Sequence, residues 1–149
     1  MTVEVGIAAS ADDVELAYRI RHDVFVLEQD VPLDLERDEY DEGADHFLAR
    51  VSGAPAGAGR LIVEYDERAR PVGHLGRLAV LPAHRSNGVG VALVRAIESR
   101  ARARGLAAVV LGAQVHALGF YQRLGYAAYG EVFDDAGIPH RHMRKELRA

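Results

Sequence analysis

The sequence contains no cysteine, which excludes a disulfide framework, a thiolate nucleophile and any cysteine-ligated metal site. Covalent acyl transfer through a thiol is therefore closed to it. It also has no apolar run near the roughly 18 residues that span a bilayer, and its opening, MTVEVGIAAS, carries an acid and no basic stretch of the kind that begins a signal peptide. These absences lead us to expect a cytoplasmic protein with no membrane partner. The basic residues are dispersed and the net charge is -4, a balance that argues against a nucleic-acid partner and does not repel a cationic amine. At 149 residues the chain suits one domain with a sizeable core, expected over 1–149.

What is present reads as alternating strands and helices. Val3, Val5 and Ile7 share one face of a first strand, and Ser10 with Asp12 and Asp13 caps a helix carrying Val14, Leu16, Ala17, Ile20 and Val24 at helical spacing. Pro32 should end regular helix, which puts Glu28 near a bend at the end of an apolar run. Residues 34–45 are rich in charge and read as a solvated loop or as an acidic wall beside a cationic substrate. Two strands, 46–51 and 58–65, flank a turn at Gly53-Ala54-Pro55. Residues 75–81 form a buried strand, followed by a helix with Val89, Leu93, Ala96 and Ile97 inward and Arg95, Glu98, Ser99 and Arg102 outward. Arg104-Gly105 stops that helix, and the all-apolar run 107–111 makes a right-handed parallel crossover with 75–81. If those two strands diverge, ligands collect in the opening. Residues 140–147 should close the sheet as a hairpin with 126–131.

Between strand 75–81 and its helix lies Arg85-Ser86-Asn87-Gly88-Val89-Gly90, where glycines allow close approach and unpaired helix N–H groups suit an anion such as phosphate. A Walker loop is excluded because the turn has no lysine. A dinucleotide fingerprint fits poorly, with Leu93 at the third glycine position and Val109-Val110-Leu111 where an acid for the ribose is needed. An ordinary glycine-rich turn stays open on the hexapeptide alone. With Leu78-Ala79-Val80 before it, Arg-x-x-Gly-x-Gly resembles the acetyl-CoA pyrophosphate loop of the GNAT superfamily of N-acetyltransferases. Gln114, Ala117, Tyr121 and Gly125-Tyr126, on one expected short helix, resemble the second acetyl-CoA motif, with Gln114 where Asn is usual. Val24 to Gln29, Asp41 to His46 and Tyr129 to His140 resemble the ElaA-like branch.

The resemblance implies a mixed α/β fold: a mostly antiparallel sheet, helices on both faces and a splayed parallel strand pair. It implies acetyl-CoA as co-substrate and direct transfer to a primary amine, on a small molecule or peptide, with a homodimer as one arrangement. A non-catalytic acetyl-CoA sensor or an interaction domain is the alternative reading of the same motifs. Backbone N–H groups from Arg85 through Gly90 (Arg85, Ser86, Asn87, Gly88, Val89, Gly90) would take the pyrophosphate, with the Arg85 side chain adding charge. By resemblance, Leu78, Ala79 and Val80 pair with pantetheine, and an N–H freed by interrupted pairing holds the thioester oxygen. Gln114, Ala117 and Tyr121 complete the cofactor site. Tyr121 is the candidate hydrogen-bond donor to the leaving thiolate.

For the base, the candidates are Glu28, Asp41, His46, His116 and His140, with Glu28 preferred because burial at the bend could raise its pKa. Asp41, His116 and His140 also count as acceptor-site candidates, as do Arg60 and Arg77, which could grip a substrate carboxylate. His140 and His142 share a strand face without a carboxylate nearby in sequence, so no metal is expected.

Overall fold

The computed structural model describes residues 2–147. Seven strands form one sheet: β1 (Val3–Ile7), β2 (Asp45–Val51), β3 (Ala54–Tyr65), β4 (Pro71–Val80), β5 (Ala108–Gln114), β6 (Ala127–Asp135) and β7 (Ile138–Glu146). Their order is β1-β2-β3-β4-β5-β7-β6, antiparallel throughout except for the parallel pair β4 and β5. Helix α1 (Ala11–Arg21) covers one face of the sheet, where Ala17 and Ile20 meet Leu48, Ala58 and Ala79. A short α2 (Leu33–Glu36) lies between α1 and β2. The other face carries α3 (Val89–Ala103) and α4 (Leu118–Arg123), and this side holds the larger core.

Local chemistry accounts for the element ends. Ser10 accepts a hydrogen bond from the Asp13 N–H at 3.1 Å and starts α1, as the sequence predicts. Ser52 and Gly53, both at positive φ, make the β2–β3 turn, so β3 begins at Ala54, earlier than the expected 58. Helix α3 lies close against β3 because Gly57 has no side chain there: a Cβ would stand 2.9 Å from Val89 Cγ1 and 3.0 Å from Leu93 Cδ1. With Val94 and Ile97, these residues bury a continuous stripe worth about 1.5–3 kcal/mol per large side chain.

Glu98 departs from the amphipathic pattern. It is buried in the face of α3 that packs on the sheet, where Tyr126 Oη donates to it at 2.8 Å and Lys145 Nζ at 3.1 Å. Helical spacing places residue 98 beside buried Ile97 and Ala101, and partners distant in sequence make its charge tolerable there.

Past Arg21 the helix widens into a π-helical stretch, His22–Glu28, with the Gln29 N–H bonded to Val24 O at 3.1 Å. Each i→i+5 bond adds a residue to the turn and rotates the chain beyond it, which brings Phe25, Glu28 and Gln29 to the wall of a cleft. The sequence predicts the bend, but not this phase change.

Candidate active site

Strands β4 and β5 pair only at Gly73 with Val109 and His74 with Val110. Beyond these rungs β4 runs on to Val80 and β5 to Gln114, and the strands part around a cleft of about 1020 Å³. Helix α4 and the turn before α3 form one wall, and the π-helical stretch forms the other. The shape arises from the crossover: α3 wedges its N-terminus beside the ends of two strands that share only two rungs.

Within the wedge, β4 is bulged. Ala79 faces Ala58 and Gly76 faces Arg60, so Arg77 and Leu78 together oppose Gly59. Arg77 sits at φ 51°, a left-handed conformation that costs a side-chain-bearing residue about 1–2 kcal/mol. The strand is thus interrupted beside Leu78, where a thioester oxygen would need a free donor.

The glycine turn closes the mouth. Residues Pro82–His84 form a 3₁₀ turn, Ser86 and Gly88 adopt positive φ, and α3 begins without a side-chain cap among the described residues. Its first N–H groups are therefore free to meet an anion. Gly88 and Gly90 differ in kind. A Cβ at Gly88 would meet nothing within 4 Å, so glycine serves its φ of 80°, whereas at Gly90 it would come within 3.2 Å of Phe120 Cζ. Ser86, Gly88, Val89 and Gly90 all line the cleft, although the Val89 side chain points into the core; Asn87 does not line it.

Tyr121 lines the cleft at 7% exposure, edge-on to Phe120 and Tyr126 at centroid distances of 5.0 and 5.9 Å. Burial pushes its pKa well above the ordinary phenol value, so it stays a neutral donor at physiological pH. Tyr126, whose hydroxyl is taken by Glu98, is held by the core instead. Gly125, at φ 99°, ends α4 as the sequence predicts. The expected single helix from Gln114 is a 3₁₀ turn over Val115–Ala117 followed by α4. Gln114 bridges the walls: its Nε2 donates to Gln29 Oε1 at 2.9 Å, and its Oε1 lies 2.6 Å from His116 Nε2.

Several expected acceptor-site residues are elsewhere. Asp41 and Arg60 do not line the cleft; they are locked in a buried ionic network. Arg21, at 1% exposure, donates to Glu36 at 2.7 Å and to both Asp41 oxygens at 2.7 and 3.1 Å, while Arg60 donates to Asp38 at 2.7 Å and Asp41 at 2.9 Å. Burial alone would raise the Asp41 pKa, but hydrogen bonds from Arg21, the Asp38 N–H and Arg60 outweigh it and hold the carboxyl well below the usual range. Most of residues 34–45 are exposed, as a solvated loop predicts, but Glu36 and Asp41 turn inward against Arg21 and Arg60 and serve the buried network. His46 lies beneath Tyr18 and bonds Asp41 O at 2.8 Å, also outside the cleft. Arg77 lines the cleft but is tied to Glu36 O at 3.0 Å and Asp38 at 3.1 Å.

Glu28 lines the cleft yet remains 39% exposed, and its two oxygens meet the Arg85 guanidinium at 2.6 and 2.7 Å. This hydrogen bonding lowers its pKa, opposite to the expected rise by burial. His116 and His140 line the cleft as expected. Sequence reasoning missed His74 and Phe133 and weighed His142 only as a metal ligand; their approach depends on strand order, and His142 stacks on Phe133 at 4.3 Å, opposite Gly112 on β5.

Comparison with known proteins agrees with this geometry. The acetyltransferase (GNAT) domain family matches residues 8–147. The uncharacterised N-acetyltransferase YjcF of Bacillus subtilis is 38% identical over 141 residues, covering 94% of this chain and 97% of its own. ElaA of Escherichia coli is 33% identical over 131 residues, covering 87% of this chain and 84% of its own. The ElaA crystal structure superposes with a TM-score of 0.82 at 26% identity, covering 97% of this chain and 100% of its own. An acyl-CoA N-acyltransferase from Pseudomonas aeruginosa gives 0.77 at 29% identity, with 97% and 98% covered.

Proposed function

The chain belongs to the GNAT acetyltransferase family, and from that premise we propose that it transfers an acetyl group from acetyl-CoA directly to a primary amine. The observation that carries this reading is the wedge between β4 and β5, which has an anion-suited turn at its mouth and a bulged strand along its side. The pyrophosphate takes the N–H groups of the turn and the first residues of α3, with Arg85 as counter-charge. Pantetheine then lies along Leu78 to Val80, and an N–H released by the bulge holds the thioester oxygen as negative charge develops on it. The Tyr121 hydroxyl donates a hydrogen bond to the departing sulfur. Because burial has made the phenol less acidic than in water, hydrogen bonding describes its part better than complete proton transfer.

A primary amine with a lysine-like pKa of about 10.4 is neutral only once in a few thousand molecules at pH 7, a cost of about 4.6 kcal/mol. Acceptance of its proton is therefore part of the task. The cytosol, where acetyl-CoA and reduced thiols coexist, is the compartment this reading implies.

The test is thiol release from acetyl-CoA in the presence of primary amines, compared with longer acyl-CoAs, alongside melting with and without acetyl-CoA. We expect a raised melting temperature and amine-dependent CoA release. Stabilisation without release on any amine would favour the sensor reading, and a longer chain used in preference would reassign the donor.

A further inference from the structure

Strands β5, β7 and β6 bury one face and expose the other. Leu111 and Met143, paired across β5 and β7, are buried in the core that carries α3 and α4, whereas their neighbours Gly112 and His142, also paired, are exposed on the opposite side. Helix α1 covers β2, β3 and β4 on that side. On the part beyond it four rings stand in a row. Tyr129 stacks on His142 at 5.7 Å, His142 on Phe133 at 4.3 Å, and Phe133 is tilted against His140 at 5.7 Å. The row depends on an irregularity in β6: Tyr129 pairs with His142 and Phe133 with His140, so rings four residues apart on β6 meet histidines two apart on β7.

This row joins two cavities. Phe133 and His140 line the cleft, Tyr129 lines a second cavity of about 570 Å³, and His142 lines both. Gly112 makes a shelf beneath the row, because a Cβ there would come within 3.3 Å of Phe133 Cζ. The last rung between β4 and β5 is His74 with Val110. Two residues further along each strand, Gly112 stands level with Gly76, beside the bulge at Arg77 and Leu78. The rings thus lie across the gap from the point proposed for the thioester. Phe25 and Leu35 line the π-helical wall of the same cleft.

The charges in both spaces are already matched. Glu28 holds Arg85, and Glu36 and Arg77 belong to the Arg21 network. Around the second cavity, Asp66, Arg70, Arg144 and Glu146 form one chain of ion pairs, and Glu64 holds His74. The remaining carboxylates and guanidinium groups, Asp135 and Arg123 in the cleft and Glu67 and Arg68 beside the second cavity, are exposed and come in opposite signs. A second cation or a carboxylate on the acceptor would have to break an existing pair or settle at a screened group, whereas a flat neutral ring meets stacking partners directly.

We propose that the acceptor is a primary amine carrying an aromatic ring on a short alkyl chain, its ring stacked on Phe133 and His142 over Gly112 and its nitrogen turned across the gap toward Leu78. The assignment rests on the acetyltransferase reading above and gives it a substrate class. Phe133 sets the preference. The transfer itself balances as for any amine: the neutral nitrogen forms the amide C–N bond, the thioester C–S bond breaks, and of the two protons that the ammonium sheds one goes to the thiolate and one to water.

The experiment measures thiol release from acetyl-CoA with phenylethylamine, hexylamine, spermidine and an unblocked pentapeptide, for the parent and for Phe133→Leu and Gly112→Val. Calorimetry follows phenylethylamine binding to each protein saturated with CoA. We expect the parent to favour phenylethylamine over the other three by about ten-fold or more in kcat/KM. Phe133→Leu should lower kcat/KM for phenylethylamine about ten-fold and for hexylamine less than three-fold, with phenylethylamine binding weakened in parallel and acetyl-CoA affinity within about two-fold. Gly112→Val should displace the Phe133 ring and reproduce that pattern. A parent that prefers hexylamine, spermidine or the peptide, or a Phe133→Leu variant that slows all amines equally, would overturn the assignment and leave the transferase reading standing. A parent that binds acetyl-CoA yet releases no thiol with any of the four amines would overturn both.

Discussion

Arg85 and Glu28 grip each other through two parallel hydrogen bonds at 2.6 and 2.7 Å, although 57 residues separate them in sequence. The arginine proposed for the pyrophosphate and the acid that the sequence favours as base thus neutralise one another across the cleft mouth. An anion arriving at the turn must compete with Glu28 for that guanidinium. Glu28→Gln should therefore raise acetyl-CoA affinity by a factor of about 2 to 5, as befits an exposed pair, measured by calorimetry at low salt. Weaker binding in that variant would mean that Glu28 preorganises Arg85 instead.

Tyr121→Phe should leave acetyl-CoA affinity near the parent's and lower kcat, because its hydroxyl serves the sulfur only as charge develops there. The neutral phenol should give no alkaline limb of its own below pH 10, since burial raises its pKa. Equal turnover numbers for the two proteins would return Tyr121 to a packing role beside Phe120 and Tyr126.

The two glycines of the turn should fail differently. Gly88→Glu introduces a side chain at a left-handed position and a negative charge where phosphate is to sit, so acetyl-CoA binding should vanish while circular dichroism stays native. Gly90→Ala pushes on Phe120 and should lower the melting temperature together with affinity. A Gly88→Glu protein that still binds would remove the turn from the cofactor site.

Arg60 and Asp41 should report on stability, not on acceptor binding. Arg60→Leu removes one partner each from Asp38 and Asp41, which keep Arg77 and Arg21 respectively, and the cost should be about 1–3 kcal/mol in denaturant unfolding, with the acceptor KM unchanged.

Acid should act on the same network. Because the folded-state pKa of Asp41 lies below its unfolded value, its contribution is fully present above the ordinary aspartate range near pH 4 and is lost as pH falls toward the folded value. Asp41→Asn should be less stable at neutral pH and show a flatter decline between about pH 5 and 2. A parallel decline in both proteins would put the acid sensitivity elsewhere.

Local chemistry in the sequence determined a great deal: the Ser10 cap, the Gly125 stop, the crossover from β4 through α3 to β5, and an anion-suited turn between them. Each depends on neighbours within a few residues or on periodicity, so a linear reading reaches them. Tertiary structure alone decided which charges are structural. Arg21, Glu36, Asp41 and Arg60 look solvated one at a time, and only their convergence from α1, α2, the turn after α2 and β3 makes a buried network possible. The same holds for the apex of the cleft. His74 and Glu64 lie ten residues apart on two strands, and nothing in their spacing shows that the β3–β4 register brings them together where β5 departs. Backbone features repeat along a chain and can be read from it, whereas side chains from distant segments meet through a register that packing the whole core selects.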